Sequence, residues 1–153
     1  MKAAVIKWVD SATRSGLLIG LVCWVLFMGV THGVPASWWL EVASVHIPDA
    51  SAGQPVRMAV QRTIRRDFVA EWSASVRTDD GAAQVVCVGS GKSNYRQGAN
   101  LPANLTLDWW TDGACKTLRP GRYWVATDWD IRPAGIWPAK RVSSSSNRFE
   151  VRP

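Results

Sequence analysis

The chain has 153 residues, a length that suits one ordinary domain with a short appendage and excludes two full domains. Apolar residues make up 47%, which excludes a disordered chain, and 18 Lys and Arg against 12 Asp and Glu give a net charge of +6. Three cysteines are too few for a dense disulfide scaffold, and two histidines disfavour a histidine-based metal site or catalytic triad. Ten tryptophans are the unusual feature of the composition.

A long uncharged segment lies near the start of the chain. Residues 15–40 contain no Asp, Glu, Lys or Arg. Their apolar part, residues 16–34, would form about 28 Å of α-helix, close to the ~30 Å hydrocarbon core of a bilayer. No polar face interrupts the run, which disfavours a buried core helix. Trp38 and Trp39 follow it, where the aromatic belt of a membrane interface would lie. We therefore predict that residues 15–40 form a transmembrane signal anchor, with membrane lipid as its partner.

The charges around this segment predict its orientation. Residues 1–14 carry three cations and one acid, and no cation follows the segment until Arg57. The positive-inside rule predicts that residues 1–14 are a short basic cytoplasmic segment and that residues 41–153 lie in the periplasm or outside the cell. A cleaved signal peptide is the alternative, because Val34-Pro35-Ala36 is an acceptable cleavage site. Cleavage near Ala36 would release a secreted domain.

Residues 41–153 have the pattern of a single β domain. Polar and apolar residues alternate in short runs, and segments rich in Gly, Pro and Asp separate these runs. The pattern predicts an antiparallel sandwich or barrel of about seven strands, with Asp79-Asp80-Gly81 as the turn between the third and the fourth. The predicted strands lie near residues 42–47, 55–64, 68–77, 83–89, 104–110, 121–131 and 140–152, the last interrupted by residues 143–146.

One motif carries a resemblance to known domains. Leu118-Arg119-Pro120-Gly121-Arg122-Tyr123-Trp124-Val125 resembles the L-x-P-G-x-Y-x-V turn and strand of fibronectin-III and immunoglobulin-like domains. The resemblance implies an immunoglobulin-like β-sandwich over about residues 50–150. It also implies that the Tyr123 hydroxyl bonds to backbone a few residues upstream and that Trp72 is the buried tryptophan of the third strand. Val125 stands where antibody domains carry a cysteine, so the fold is implied and an antibody-like ligand is not. The whole arrangement also resembles small export-anchored proteins of phages and prophages.

Cys87 and Cys115 are the only cysteines that follow the uncharged segment. Export implies an oxidising compartment, in which two cysteines pair readily, so we predict a disulfide between them. Two free thiols are the alternative. A zinc site is disfavoured because the chain has no CxxC motif and few histidines.

Strand alternation sorts the tryptophans of the predicted domain. Those that share a face with apolar residues, and are therefore predicted to be core, are Trp72, Trp109 and Trp129. Trp110 and Trp124 fall on the opposite face among charged residues, and Trp137 lies in a loop. Because outward aromatic rings offer rigid contact area, we predict that these three, with Arg122, bind a protein or an envelope glycan. The alternative is that they pack at the rim of a small core or under loops.

Arg62, Arg65 and Arg66 lie near the end of the second predicted strand, and Arg62 falls in the apolar phase of that strand. Either the strand bulges there or the Arg62 stem covers the end of the sandwich. The group suggests a site for phosphate or anionic lipopolysaccharide, or a solvated strand end with Asp67 as counterion. Nucleic acid is a poor partner, because residues 41–153 carry 15 cations against 11 acids, a net charge of only +4.

The chain contains no Walker, Rossmann or HExxH pattern, so we predict no enzyme activity, cofactor or metal. Asp108, Asp128 and Asp130 are the carboxylates that an envelope hydrolase could use. The predicted function is a non-enzymatic, membrane-anchored interaction module, and the phage resemblance implies action on the envelope. The main alternative is a structural component of a membrane-associated assembly or virion, in which the domain packs against copies of itself or its neighbours.

Overall fold

The computed structural model describes residues 2–102, 105–111, 113 and 115–153, with side chains from residue 16 onward. The chain divides into two units, Met1–Val34 and Pro35–Pro153. The first unit contains one long helix, and the second contains a β domain. Within the described residues, the secondary structure agrees with the mainly β class that the sequence predicts, preceded by one apolar helix.

Helix α1 spans Lys2–Gly33 and therefore begins within the basic segment that precedes the apolar run. Its part Gly16–Gly33 is long and apolar enough to cross a membrane, and only 6% of that window is buried within the protein. A helix with these properties can serve as a membrane anchor or as a signal sequence. The predicted apolar helix is thus confirmed.

The β domain contains nine strands among the described residues, two more than the sequence predicted. Two of the nine are two-residue strands, and the predicted last strand is divided in two. The strands are β1 (Leu40–His46), β2 (Ala50–Ser51), β3 (Arg57–Ile64), β4 (Phe68–Thr78), β5 (Val85–Tyr95), β6 (Leu105–Thr106), β7 (Gly121–Pro133), β8 (Lys140–Ser145) and β9 (Phe149–Arg152). A 3-10 turn, Ala36–Trp38, precedes β1, and the five-residue helix α2, Leu107–Thr111, follows β6.

The strands form two sheets in a sandwich-like arrangement. One sheet has the order β1-β3-β6, and the other has the order β2-β9-β7-β4-β5, with β8 also paired to β7. All pairs are antiparallel except β2 with β9, which is parallel. The predicted hairpin between β4 and β5 is present, with residues 79–84 as its loop.

Buried and more exposed side chains alternate along the strands, and the buried ones form the core between the sheets. On β4 and β7 the buried side chains include Val76 and Val125, which are direct cross-strand partners. Trp129 is also buried, as the alternation predicts. Met58 and Ile64 on β3 supply the facing layer. Burying a Val, Ile or Met side chain contributes about 1.5–3 kcal/mol, so these alternating positions provide much of the free energy that holds the sheets together.

The prediction of a strand over residues 104–110 is wrong beyond residue 106. Helix α2 begins at Leu107. Side chains that share a face are therefore spaced by 3.6 residues, as in a helix, and no longer by 2, as in a strand. Trp109, predicted to be core, is therefore 51% exposed, whereas Trp110, predicted to face solvent, is 5% exposed. The reason is tertiary packing: a Cβ at Gly89 would lie 2.2 Å from the Trp110 carbonyl oxygen, so only glycine lets the α2 backbone approach β5 this closely.

Strand β5 is longer than predicted. Gly89-Ser90-Gly91, where the predicted strand over residues 83–89 ends, lies inside β5 and pairs with β4. These small residues leave room on the inner side of the sheet. A Cβ at Gly91 would lie 2.9 Å from the Trp72 ring. Trp72 is on the inward face of β4, as expected, but it is half-buried and therefore differs from the fully buried tryptophan that the resemblance implies.

The loop before β7 contains the hydrogen bond that the resemblance implies. The Tyr123 hydroxyl donates to the Arg119 carbonyl oxygen at 2.8 Å. Tyr123 is buried, and the Pro120-Gly121 turn lies between the two partners. This bond pins the start of β7 to the chain that leads into it.

The predicted disulfide is confirmed. Cys87 on β5 is bonded to Cys115, with their Cα atoms 5.9 Å apart. The bond ties β5 to the segment between α2 and β7, and Cys115 is buried. Cys23, on α1, is free and exposed.

Candidate functional site

The four residues predicted to form one binding surface are not brought together. Trp110 is buried against Trp129, with ring centroids 6.5 Å apart, and this corrects the prediction that it faces solvent. Trp124 and Arg122 lie on the outer face of β7. Trp137 lies elsewhere, in a cluster with two other tryptophans. The described residues therefore hold three separate candidate surfaces.

The first is the tryptophan cluster, made of Trp38, Trp39 and Trp137 with Arg66. The Trp137 ring lies 6.4 Å from that of Trp38 and 5.7 Å from that of Trp39, both edge-on. The Arg66 guanidinium carbon lies 4.7 Å from the Trp38 ring centroid, within cation–π range. Trp39 is 2% exposed and fixes the cluster to the domain, whereas Trp38 is 43% exposed and available to a partner.

The three arginines near the end of β3 separate in the structure. Arg65 forms an ion pair with Glu41, not with Asp67. The Asp67 carboxylate instead accepts the backbone N–H of Gln97 at 2.7 Å. Arg66 joins the tryptophan cluster, and Arg62 points into the sandwich. The predicted single arginine site is therefore divided among three environments.

The second surface is the outer face of β7 and its neighbours. Trp124 is partly exposed, and the Arg77 guanidinium carbon lies 5.7 Å from its ring centroid. Arg122 lies on the same face, two residues away along β7, and is exposed. The pair keeps an aromatic ring and a cation in contact with solvent. Their role in recognition stays a prediction.

The carboxylates Asp128 and Asp130 of this face accept hydrogen bonds from neighbouring side chains. Asp130 accepts two hydrogen bonds from Arg141, at 2.8 and 3.0 Å, and Asp128 accepts one from the Ser143 hydroxyl. The Arg141 hydrogen bonds hold the pKa of Asp130 below its usual value, so this carboxyl is ionised at neutral pH. A hydrolase acid needs a raised pKa, and these contacts work in the opposite direction.

The third location, which we call the Arg62 pocket, is a cavity of about 270 Å³ lined from both sheets and from α2. Its aromatic walls are Trp72, Tyr95, Trp109, Trp110 and Trp129. The Arg62 guanidinium carbon lies 5.2 Å from the Tyr95 ring centroid. A register shift between β1 and β3 lies opposite Arg62, but its extra residue, Ala43, is on β1, so the alternation of β3 is unbroken at Arg62. The arginine is therefore held in the inward phase of its strand.

Burial shifts the pKa values of Arg62 and Tyr95 in the Arg62 pocket. Removal from water lowers the pKa of Arg62, and the nearby Tyr95 hydroxyl partly offsets this effect. Burial raises the pKa of Tyr95, against interactions of its hydroxyl with Trp129 and Arg62. Both groups thus keep their ordinary neutral-pH forms, a guanidinium and a neutral phenol. Within the described residues no group of three or more His, Cys, Asp or Glu side chains is placed to hold a metal ion.

No family model, curated protein or solved structure matches this chain. Sequence reasoning missed Tyr95, because the strand was expected to end at residue 89. It noted Arg62 at an inward position, which was the one available signal of the pocket.

Proposed function

We propose that this protein is a non-enzymatic interaction module that α1 holds in the cytoplasmic membrane, with the β domain outside the cytoplasm. The observation that carries the proposal is the apolar helical window Gly16–Gly33, of which only 6% is buried. An exposed apolar surface of this size needs an apolar environment, and the length of the window approaches that of a membrane span. The charge balance of residues 1–14 supports an orientation with the N-terminus in the cytoplasm.

We infer an immunoglobulin-like topology for the β domain. Two features of the described strands support it. The order β1-β3-β6 corresponds to strands A, B and E, and β9-β7-β4-β5 corresponds to G, F, C and C′ of a variable-type domain. The Tyr123 hydroxyl bond to the Arg119 carbonyl corresponds to the tyrosine corner of such domains. The disulfide differs from that of antibody domains, because it joins β5 to a loop rather than one sheet to the other.

The tryptophan cluster gives the domain a surface for the membrane interface. Only three residues separate Val34 from Trp38, and four extended residue steps span at most about 14 Å. If α1 crosses the bilayer, Trp38 is therefore restricted to the neighbourhood of the headgroups. Tryptophan is enriched at that depth, and the Arg66 guanidinium beside it suits lipid phosphate.

The partner surface in this proposal is the outer face around Trp124 and Arg122. A half-exposed ring backed by Arg77 offers the rigid aromatic area that dominates protein interfaces. The class of partner is a protein or glycan of the cell envelope, as the outward position of the domain implies. The phage resemblance adds the proposal that this partner is an envelope component on which a phage-encoded protein acts.

One observation favours a second function, a structural part of an assembly. The valines near the start of β5 are exposed, Val88 by 57%, and β5 lies at the end of its sheet. An apolar end strand is a surface on which further strands can pair. In this second function the domain packs against copies of itself.

Membrane topology is the first test. A reporter that is active only after export, fused after Pro153 of the full chain, should be active, and the protein should resist alkaline extraction from membranes. Reversing the charges of Lys2, Lys7 and Arg14 should reduce export of the reporter. A reporter active only in the cytoplasm would contradict the proposal. A mature protein that starts near Ala36 would contradict the anchor while leaving the exported domain in place.

Partner binding is the second test. Trp124→Ala in the full chain should lower recovery of the cross-linked envelope partner about tenfold or more, because large aromatic residues dominate interfaces. Ile136→Ala is the matched control, since Ile136 is an exposed apolar residue outside this face. Equal recovery from Trp124→Ala and wild-type protein would contradict the proposed surface. Self-association that is lost in Val88→Lys would instead support the structural function.

A further inference from the structure

The Arg62 guanidinium is the least explained group in the domain. Arg62 is half-buried, and its Nε atom is fully buried with no hydrogen-bond partner. No carboxylate among the described residues forms an ion pair with it. The Tyr95 ring and hydroxyl offset only part of the cost of removing Arg62 from water, and a partly buried cation normally has an anionic partner. An anion bound at Arg62 would supply that partner.

The pocket around Arg62 has the charge that an anion requires. Its described lining contains two arginines, Arg62 in the interior and the exposed Arg96, and no Asp or Glu. The guanidinium presents a planar fork of donors that matches the two oxygens of a carboxylate. Ser93 and Asn94 add neutral polar groups to the lining.

The walls of the pocket have the shape and chemistry of a ring-binding site. Four tryptophans and a tyrosine line it, and Trp109 is 51% exposed although it is a large aromatic residue. An exposed indole beside a cavity offers a flat face on which a ring can stack. The volume of about 270 Å³ lies just below the usual range for drug-sized ligands, which suits a ligand of one ring.

Two glycines of β5 position the aromatic walls of the pocket. Gly91 gives the Trp72 ring its place against β5, because a Cβ there would lie 2.9 Å from the ring. Gly89 admits the α2 backbone, which brings Trp109 and Trp110 to the other side of the pocket. Two glycines in one strand thus open the space and bring its aromatic walls together.

We infer that the Arg62 pocket binds a small organic anion in which one six-membered ring carries a carboxylate. Arg62 pairs with the carboxylate, and the indole rings of Trp109 and Trp72 hold the ring. A uronic acid of an envelope glycan and an aromatic acid share this chemistry. The inference is independent of the membrane anchor and of the outer face around Trp124.

The test uses the full chain in lipid nanodiscs and titration calorimetry, with empty nanodiscs as the blank. The probes are glucuronate and benzoate, and the neutral analogues are glucose and benzamide. At least one acid should bind about tenfold more tightly than its neutral analogue, because a hydrogen bond to a charged group discriminates by about that factor. Preference for glucuronate assigns the site to glycan acids, and preference for benzoate assigns it to aromatic acids.

Two variants connect binding to the pocket. Arg62→Met should abolish the preference for the acid, whereas Arg57→Met, an exposed arginine on the same strand, should keep it. Trp109→Ala should weaken binding about fivefold at an unchanged melting temperature, because its ring is half-exposed. Ile136→Ala is the control for loss of an exposed apolar side chain outside the pocket.

Several results would overturn the inference. One is equal affinity of the wild-type protein for each acid and its neutral analogue, since Arg62 would then not read the carboxylate. Another is the absence of binding by both acids at about 10 mM, which would leave the pocket as a hydrated gap in the packing. Full affinity in a folded Arg62→Met protein would place the bound acid elsewhere. None of these results depends on the topology or the partner proposed above.

Discussion

The Cys87–Cys115 disulfide joins β5 to the chain between α2 and β7, and its loss should destabilise the β domain without unfolding it at 25 °C. The perturbation is either reduction or the double change Cys87→Ala with Cys115→Ala. The bond closes a loop across 28 residue positions. In the folded domain the two Cα atoms are 5.9 Å apart and remain close without the bond, because the strand pairs hold β5 in place. Most of the effect therefore comes from the unfolded chain.

The magnitude follows from the loop length. For 28 residue positions, loop-closure entropy amounts to about 12 cal/mol/K, or about 3.6 kcal/mol at 25 °C. The unit Pro35–Pro153 has 153 − 34 = 119 residues. Its unfolding entropy near the melting temperature is about 250 cal/mol/K, so the melting temperature should fall by about 14 °C. The alanine variant should fall slightly further, because Cys115 is buried and its sulfur is lost from the core.

The assay is thermal unfolding of the full chain in detergent micelles, followed by near-ultraviolet circular dichroism of the tryptophans. The oxidised protein, the reduced protein and the double alanine variant are compared. Cys23→Ala is the matched control, because Cys23 is free and lies in α1, so this variant should melt like the wild type. Amide exchange should also show that α2 is the element most loosened by reduction, because α2 leads directly into the cross-linked segment.

Two results would refute this reasoning. A fall in melting temperature of less than about 4 °C would mean that loop entropy in the unfolded chain does not determine the effect. Reaction of both Cys87 and Cys115 with a thiol reagent in the denatured, unreduced protein would exclude the bond itself.

The other predictions concern single side chains, each checked by thermal or denaturant unfolding. Gly89→Ala should destabilise the domain by about 2 kcal/mol or more, because the new Cβ would lie 2.2 Å from the Trp110 carbonyl oxygen; a wild-type melting temperature would show that α2 shifts at no cost. Tyr123→Phe should cost about 1–1.5 kcal/mol through its lost 2.8 Å hydrogen bond, and a neutral effect would mean that water replaces the hydroxyl. Asp130→Asn should lower stability slightly at pH 7. Because the bond from Arg141 lowers the pKa of Asp130 below 3.8, its contribution is present above that pH and is lost as the pH falls through the lowered pKa. A difference between Asp130→Asn and wild type that does not shrink as the pH is lowered below 3.8 would contradict this cause.

The sequence by itself determined the large divisions of the protein. The uncharged run predicted α1, and alternation with turn residues predicted the longest strands, because both patterns are local. The Pro120-Gly121 turn with Tyr123 predicted a hydrogen bond that the structure contains. The cysteine pair was predicted only from the number of cysteines after the uncharged segment and from the expectation of an oxidising compartment.

Tertiary structure decided what local patterns do not contain. The solvent exposures of Trp109 and Trp110 are the reverse of those predicted, because Gly89 lets α2 pack on β5. This contact joins residues about 20 positions apart in sequence. Trp38 and Trp137 meet from positions about 100 residues apart. The Arg62 pocket likewise needs two sheets to come together. Alternation tells which side of a strand a residue takes, but only packing determines what lies opposite that side and whether it fills the space or leaves a pocket.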